Sequence, residues 1–160
     1  MGRGSMNITL LAIGKNMPPW VTQGVAEYTQ RMPSQYRVQW SEIPMEKRGK
    51  NADLGKIIAI EEEKITRALP KNSIIIALDR MGKTFDTPTL AKHLQTWHDN
   101  QQDIAWVIGG PEGLSSDFLK KTSLTWSLSA LTLPHPLVRV LIAEQLYRAY
   151  SIIVNHPYHR

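Results

Sequence analysis

Strand-like and helix-like segments alternate along the whole of this 160-residue chain, and that alternation predicts an α/β domain with a largely parallel sheet. Two further observations support the class. Ser73 to Leu78 (SIIIAL) is an unbroken apolar run, the pattern of a strand covered on both faces in a parallel sheet. No linker, repeat or low-complexity segment divides the chain, which is long enough for one sizeable core. The expected domain covers residues 6–160, because Met1-Gly2-Arg3-Gly4-Ser5 ahead of Met6 reads as an expression scar.

The elements follow in order. Asn7 to Ala12 (NITLLA) is a buried strand. Pro18 and Pro19 open a helix with Val21, Val25, Tyr28 and Met32 at helical spacing, and Pro33 closes it. Tyr36 to Ile43 alternates as a second strand. Lys47-Arg48-Gly49-Lys50 is a basic loop, after which Asn51 caps a long helix from Ala52 to Leu69. The apolar strand Ser73 to Leu78 leads through a turn at Gly82 to a third helix, with Thr87 as cap, Pro88 as first residue and Asn100 at its end. Ile104 to Ile108 is the fourth strand and Ser116 to Thr122 a short helix capped by Ser115 or Ser116. Leu124 to Leu128 is the fifth strand. Pro136 opens the last helix, Leu137 to about Val154.

Composition narrows the function. The 19 Lys and Arg exceed the 14 Asp and Glu, a formal net charge of +5 that favours a polyanionic partner, nucleic acid above all. No cysteine is present, which removes disulfides, thiolate zinc sites and cysteine nucleophiles together and fits a cytoplasmic protein. No apolar run reaches the length of a membrane span. No metal is expected, since His156 and His159 form a pair without a third ligand.

Ligands of open α/β sheets bind outside the carboxyl ends of the strands. Three ends stand out, Leu78-Asp79, Ile108-Gly109 and Ser127-Leu128. The second opens the stretch VIGGPEGL (Val107 to Leu114), which has neither a Gly-x-Gly-x-x-Gly spacing nor a Gly-Lys-Ser/Thr sequence, so the two commonest glycine-loop readings fail. A tight strand-to-helix turn needs no ligand, and that reading stays open beside a binding loop. The third end continues as Leu128-Ser129-Ala130-Leu131-Thr132-Leu133, an uncharged connection closed by Pro134-His135-Pro136. Such a loop is either a buried crossover or the lining of a pocket, where main-chain hydrogen bonds and flat apolar packing suit an adenine.

VIGGPEGL, SLSALTLPHPLVRVLIAEQLYRAYSI (Ser127 to Ile152) and the ending NHPYHR (Asn155 to Arg160) resemble the RlmH family, with AIGKNMPPWV, IPMEKRGKNAD and DRMGKTFDTP adding to the match. These are small SPOUT-class methyltransferases that modify pseudouridine in large-subunit ribosomal RNA. The resemblance implies an α/β knot, with a mostly parallel sheet and the C-terminal segment threaded as a trefoil, which periodicity alone does not reveal. It implies S-adenosylmethionine as cofactor, held by Leu78, Gly109, Leu128, Ser129, Ala130, Leu131, Thr132 and Leu133. It implies methyl transfer to N3 of a pseudouridine in 23S RNA, on the assembled ribosome, by a homodimer. Two rival readings stay open, a SPOUT enzyme acting on transfer RNA and a non-catalytic ribosome-binding factor.

Removal of the N3 proton needs a base, and the candidates lie in the last helix and the tail. Glu144 and Arg148 are four apart, either an ordinary ion pair or part of the site. Tyr158, His159 and Arg160 combine an aromatic, an imidazole and a guanidinium suited to stacking, proton transfer and phosphate contact. Glu144, Tyr158 and His159 are therefore the catalytic candidates. Lys47, Arg48, Lys50, Arg148 and Arg160 are the RNA-binding candidates; the first three lie in a flexible basic loop, and a merely solvated charge cluster is the alternative reading of them. The last helix is apolar on two sides, from Leu137 to Ile153, so it covers a core and either a second internal surface or a partner copy.

Overall fold

The computed structural model describes residues 4–160; Met1 to Arg3, and with them most of the expected expression scar, lie outside the described residues. Five parallel strands form one sheet in the order β2-β1-β4-β3-β5: β1 (Met6–Ile13), β2 (Tyr36–Ile43), β3 (Ser73–Thr84), β4 (Asp103–Ile108) and β5 (Leu124–Ser127). The helices between them are α1 (Pro19–Thr29), α2 (Leu54–Ala68), α3 (Thr87–Asp99) and α4 (Ser116–Leu119), and α5 (His135–Ile153) follows the last strand. The expected α/β class with a parallel sheet holds.

Strand order decides which face each helix covers. The steps from β1 to β2 and from β3 to β4 run one way across the sheet, the steps from β2 to β3 and β4 to β5 the other way. Right-handed crossovers therefore put α1 and α3 on one face, α2 and α4 on the opposite one. The cores agree. Ile8, Leu10, Ile104 and Trp106 pack with α3 and α5, while Leu11, Ile13 and Val107 pack with Ile65 of α2 and Phe118 of α4. The last helix lies between α1 and α3 on the first face.

Ile142, Leu146 and Ala149 of α5 are buried within a single chain, so part of the helix's apolar surface meets α1 and α3. Gly24 of α1 permits the approach: a Cβ there would meet Val140 at 3.1 Å.

Several boundaries also differ. Asp53 and Asp86, not Asn51 and Thr87, cap α2 and α3, accepting from Lys56 N at 3.2 Å and Thr89 N at 2.9 Å. The first helix stops at Thr29, short of Met32. Beyond Leu78 the third strand does not simply turn. Leu78 and Lys83 both align with Trp126, so Asp79 to Gly82 is looped out of the ladder before pairing resumes. Gly82 lets the bulge close, since a Cβ there would sit 2.7 Å from the Thr125 carbonyl. His98 packs against Tyr36 with its side chain only 16% exposed.

Candidate active site

The carboxyl ends of β3, β4 and β5 enclose a cavity of about 670 Å³. Leu78, Gly109, Leu128, Ser129, Leu131, Thr132 and Leu133 line it, so seven of the eight residues expected at a cofactor are gathered there. Ala130 is not among the lining residues and faces solvent. The loop from Leu128 to Leu133 is less buried than an uncharged connection suggests, for Leu131 is 73% exposed. Its shape is local: the Ser129 hydroxyl accepts from Leu131 N at 2.9 Å, and the Ser127 hydroxyl donates to the Ser129 carbonyl at 3.0 Å. The looped-out Asp79 and Arg80 add the charged part of the wall, with Glu112.

The glycine stretch is shaped by its own packing. Gly113 N donates to the Gly110 carbonyl at 2.9 Å, closing a turn with Pro111 in second place. Gly113 has φ +78°, a conformation that strains other residues. At Gly109 a Cβ would lie 3.0 Å from the Gly113 carbonyl carbon and from Leu114 Cγ. The turn therefore favours glycine there before any ligand is considered.

Arg48 fastens this turn from outside. Its Nε and Nη2 donate to the two carboxylate oxygens of Glu112 at 2.9 and 2.8 Å, and its Nη1 and Nη2 to Glu61 at 2.7 and 3.0 Å. Nη1 also donates to the Glu46 carbonyl at 2.7 Å. Glu61, on α2, is 3% exposed and accepts a further bond from Glu46 N at 2.8 Å. These bonds hold the Arg48 guanidinium above its ordinary pKa, and the bond from Arg48 holds the Glu112 carboxyl below the usual carboxylate range. Arg48 is thus neither flexible nor merely solvated, since its donors are committed to Glu46, Glu61 and Glu112. Lys47 and Lys50 are exposed.

His135 and Arg139 secure the turn from within, and sequence reasoning set the first aside and missed the second. The His135 ring shares a 3.1 Å hydrogen bond between Nδ1 and the Gly109 carbonyl, while its Nε2 accepts from Arg139 Nε at 2.8 Å. The donor to Gly109 is then Nδ1–H, the neutral tautomer. Burial first, and the Arg139 charge second, depress the imidazole pKa and keep that form. Arg139, 3% exposed, also donates to the Gly14 carbonyl at 2.8 Å and to Glu42 at 2.6 Å. One residue thus ties the ends of β1 and β2 to the start of α5. The only sequence trace was a His and an Arg four apart.

The remaining candidates form a second group. Arg148 Nε and the Tyr158 hydroxyl donate to Glu144 Oε1 at 2.8 and 3.0 Å. The Arg148 guanidinium stands 4.7 Å over the Tyr158 ring, and its Nη1 is 3.3 Å from His159 Nδ1. Glu144, Arg148, Tyr158 and His159 are therefore brought together, with the tail folded back on the end of α5. Arg160 is exposed. Burial, and then the bond to Glu144, push the Tyr158 hydroxyl up to about 12, so it is a donor. Nine residues separate Glu144 from His135, about 14 Å along the helix, and the group does not reach its own chain's cavity. Among the described residues no cluster of His, Asp and Glu fit to hold a metal occurs, and no helix is long and apolar enough to cross a membrane.

A family model described as "Predicted SPOUT methyltransferase" matches residues 6–159. The chain belongs to the SPOUT methyltransferase family. Among its relatives in this family, it is 50% identical over 155 residues to the ribosomal RNA large subunit methyltransferase H of Coxiella burnetii (strain Dugway 5J108-111), spanning 97% of the chain and 100% of that protein. It is 47% identical to the protein of the same name from Thioalkalivibrio sulfidiphilus (strain HL-EbGR7), over 97% and 99% of the two chains. These matches bear out the RlmH resemblance. The fold is shared with a probable methylase family protein from Haemophilus influenzae Rd KW20, at TM-score 0.58 and 15% identity over 97% of this chain and 70% of that one.

Proposed function

We propose that this SPOUT methyltransferase uses S-adenosylmethionine to methylate N3 of a pseudouridine in large-subunit (23S) ribosomal RNA, as a homodimer acting on the assembled ribosome. The observation that carries the reading is the cavity at three strand ends, walled by an uncharged loop and a glycine turn. Its donor set fits the cofactor. Leu78, Leu128 and Leu133 offer apolar surface to an adenine, the loop from Leu128 to Leu133 offers main-chain groups to its edge, and Asp79 offers a carboxylate to a methionine ammonium. The volume falls in the ordinary range for ligand cavities, about 300–1,000 Å³. The same reading takes the segment after β5 as threaded into a trefoil knot, supported by the His135 bond to the glycine turn.

When bound, S-adenosylmethionine supplies a methyl group already activated on a sulfonium, which leaves alignment and proton removal to the protein. Glu144 is the base we assign: its Oε1 is oriented by Arg148 and Tyr158, and Gln145 Nε2 donates to its Oε2 at 2.7 Å. Tyr158 holds its own proton and orients the carboxylate, while His159 braces Arg148. This group stands some 14 Å along α5 from its own cavity, and in the proposed dimer, as the RlmH resemblance implies, it serves the partner's cavity. Mass mapping of ribosomal RNA from cells lacking the gene, with and without the gene restored, tests the activity. Loss of one methylated pseudouridine is expected, and an unchanged modification map refutes it. Calorimetry with S-adenosylmethionine separates the enzyme from a pure RNA-binding factor, which gives no heat.

A further inference from the structure

A second cavity, of about 470 Å³, lies beside the first along the same edge of the sheet, at the carboxyl ends of β1 and β2. The two cavities share Gly110, Pro111 and His135, so only the glycine turn and one imidazole separate them. The floor and walls are flat and apolar, from Met17, Pro44, Met45 and Pro111. Lys15 and Asn16 enter from the loop after β1, where φ values of 119° at Gly14 and 60° at Asn16 double the chain back. Arg139 holds that loop by the Gly14 carbonyl. The shape is built rather than loose.

The charges around this cavity are unequal in a way composition does not show. No carboxylate lines it, and those on the neighbouring segments are paired: Glu42 with Arg139, Glu46 with Lys64, and Glu61 and Glu112 with Arg48. Among the described residues neither Lys15, which lines the cavity, nor Lys47, two residues beyond the lining Met45, makes an ion pair, and both are exposed. Two ammonium groups uncommitted to any ion pair thus stand beside an apolar slot. A nucleotide has the matching halves, a flat base for methionine and proline surfaces and a phosphate for the ammonium groups. Unpaired, unstacked bases are the form in which RNA offers such a group.

We propose that this second cavity seats a single-stranded RNA nucleotide flanking the methylated one, with its base against Met17, Pro44 and Met45 and its phosphate on Lys15 and Lys47. The proposal rests on the methyltransferase reading above and adds the place where substrate is gripped. It makes Lys15 and Met45 determinants of RNA affinity with no part in holding the cofactor.

The absence of cysteine gives a direct test, because Met45→Cys carries a single thiol. Alkylating it with a bulky maleimide fills the slot; Lys92→Cys, on the exposed side of α3, is the control. Ribosome and free 23S RNA binding, S-adenosylmethionine affinity and light-scattering mass are measured for each. The alkylated Met45→Cys protein is expected to lose RNA affinity about tenfold or more, and Lys15→Glu likewise, while Lys15→Arg restores it and the salt slope of Lys15→Ala falls by about 1. Cofactor affinity and mass stay unchanged. RNA binding equal to the parent's in both variants overturns the proposal. So does dissociation of a dimer on alkylation, which would make this face a subunit contact. A parent that neither methylates ribosomal RNA nor binds S-adenosylmethionine overturns the functional reading itself, a result visible before any variant is made.

Discussion

Replacing Arg48 by Ala tests whether the glycine turn is held from outside. The side chain makes five hydrogen bonds, two each to Glu112 and Glu61 and one to the Glu46 carbonyl. The two carboxylates respond differently to its loss. Glu112 has a side chain 25% exposed and regains water, so its share is small, about 1 kcal/mol or less. Glu61, 3% exposed, keeps a single bond from Glu46 N and becomes a buried charge without a counter-ion. Removing one partner of a buried pair costs about 3–5 kcal/mol. Taking the lower figure, because the pair sits near the surface, a chain of this size loses about 6–12 °C in melting temperature. Thermal unfolding followed by circular dichroism measures it. The double variant Arg48→Met, Glu61→Gln removes both charges and is expected to regain most of the stability while leaving Glu112 and the turn untethered. Its affinity for S-adenosylmethionine should then stay low. A melting temperature for Arg48→Ala within about 1 °C of the parent, or full cofactor affinity in the double variant, refutes the tether.

Gly109→Ala is expected to weaken S-adenosylmethionine binding measured by calorimetry, and Gly109→Arg to abolish it, because a Cβ already lies 3.0 Å from the Gly113 carbonyl carbon; unchanged affinity in a folded variant counts against the assignment. Light scattering should give twice the chain mass, with Ile153→Asp shifting it toward monomer. Leu146→Asp, at a side chain 1% exposed, should unfold the chain instead. The His135 pKa is depressed in the folded chain, so its contribution is complete above about pH 6.5 and is lost below it, as the unfolded chain takes up a proton the folded one refuses. Stability should fall by up to about 1.4 kcal/mol per pH unit there, and His135→Gln should flatten that part of the profile. Deleting Tyr158 to Arg160 should leave fold and cofactor affinity intact while methyl transfer drops by orders of magnitude; normal turnover would end the shared-site reading.

What could be read from the chain was local. The second strand, Tyr36 to Ile43, was legible to the residue because one face alternates and Pro33 precedes it. Helix starts shifted where two capping residues compete: Asn51 against Asp53, and Thr87 against Asp86, the aspartates winning by bonds to Lys56 N and Thr89 N. The strand order was not legible, since hydrophobic runs carry no record of their neighbours. Nor was the bulge at Asp79 to Gly82, where a polar stretch with a glycine looks like any turn although the strand resumes beyond it. That bulge brings Asp79 and Arg80 to the cavity.

The misplacement of Arg48 shows why the candidate site was only half legible. The apolar loop from Leu128 to Leu133 announced itself because an uncharged connection is locally odd. The basic loop misled for the opposite reason: Lys47, Arg48 and Lys50 look alike in sequence, and only partners 13 and 64 residues away separate them. A net charge of +5 says nothing of which cations are spent on neighbours. Arg48, Arg139 and Arg148 are all spent, each on a carboxylate that positions part of a site. Guanidinium forks suit that work, since they satisfy several acceptors at fixed geometry. The lysines at 15, 47 and 50 make no ion pair among the described residues, and a mobile ammonium suits a phosphate whose position varies. On the proposed reading, Arg48, Arg139 and Arg148 build the sites and the lysines meet the polyanion, and there the basic composition becomes a mechanism.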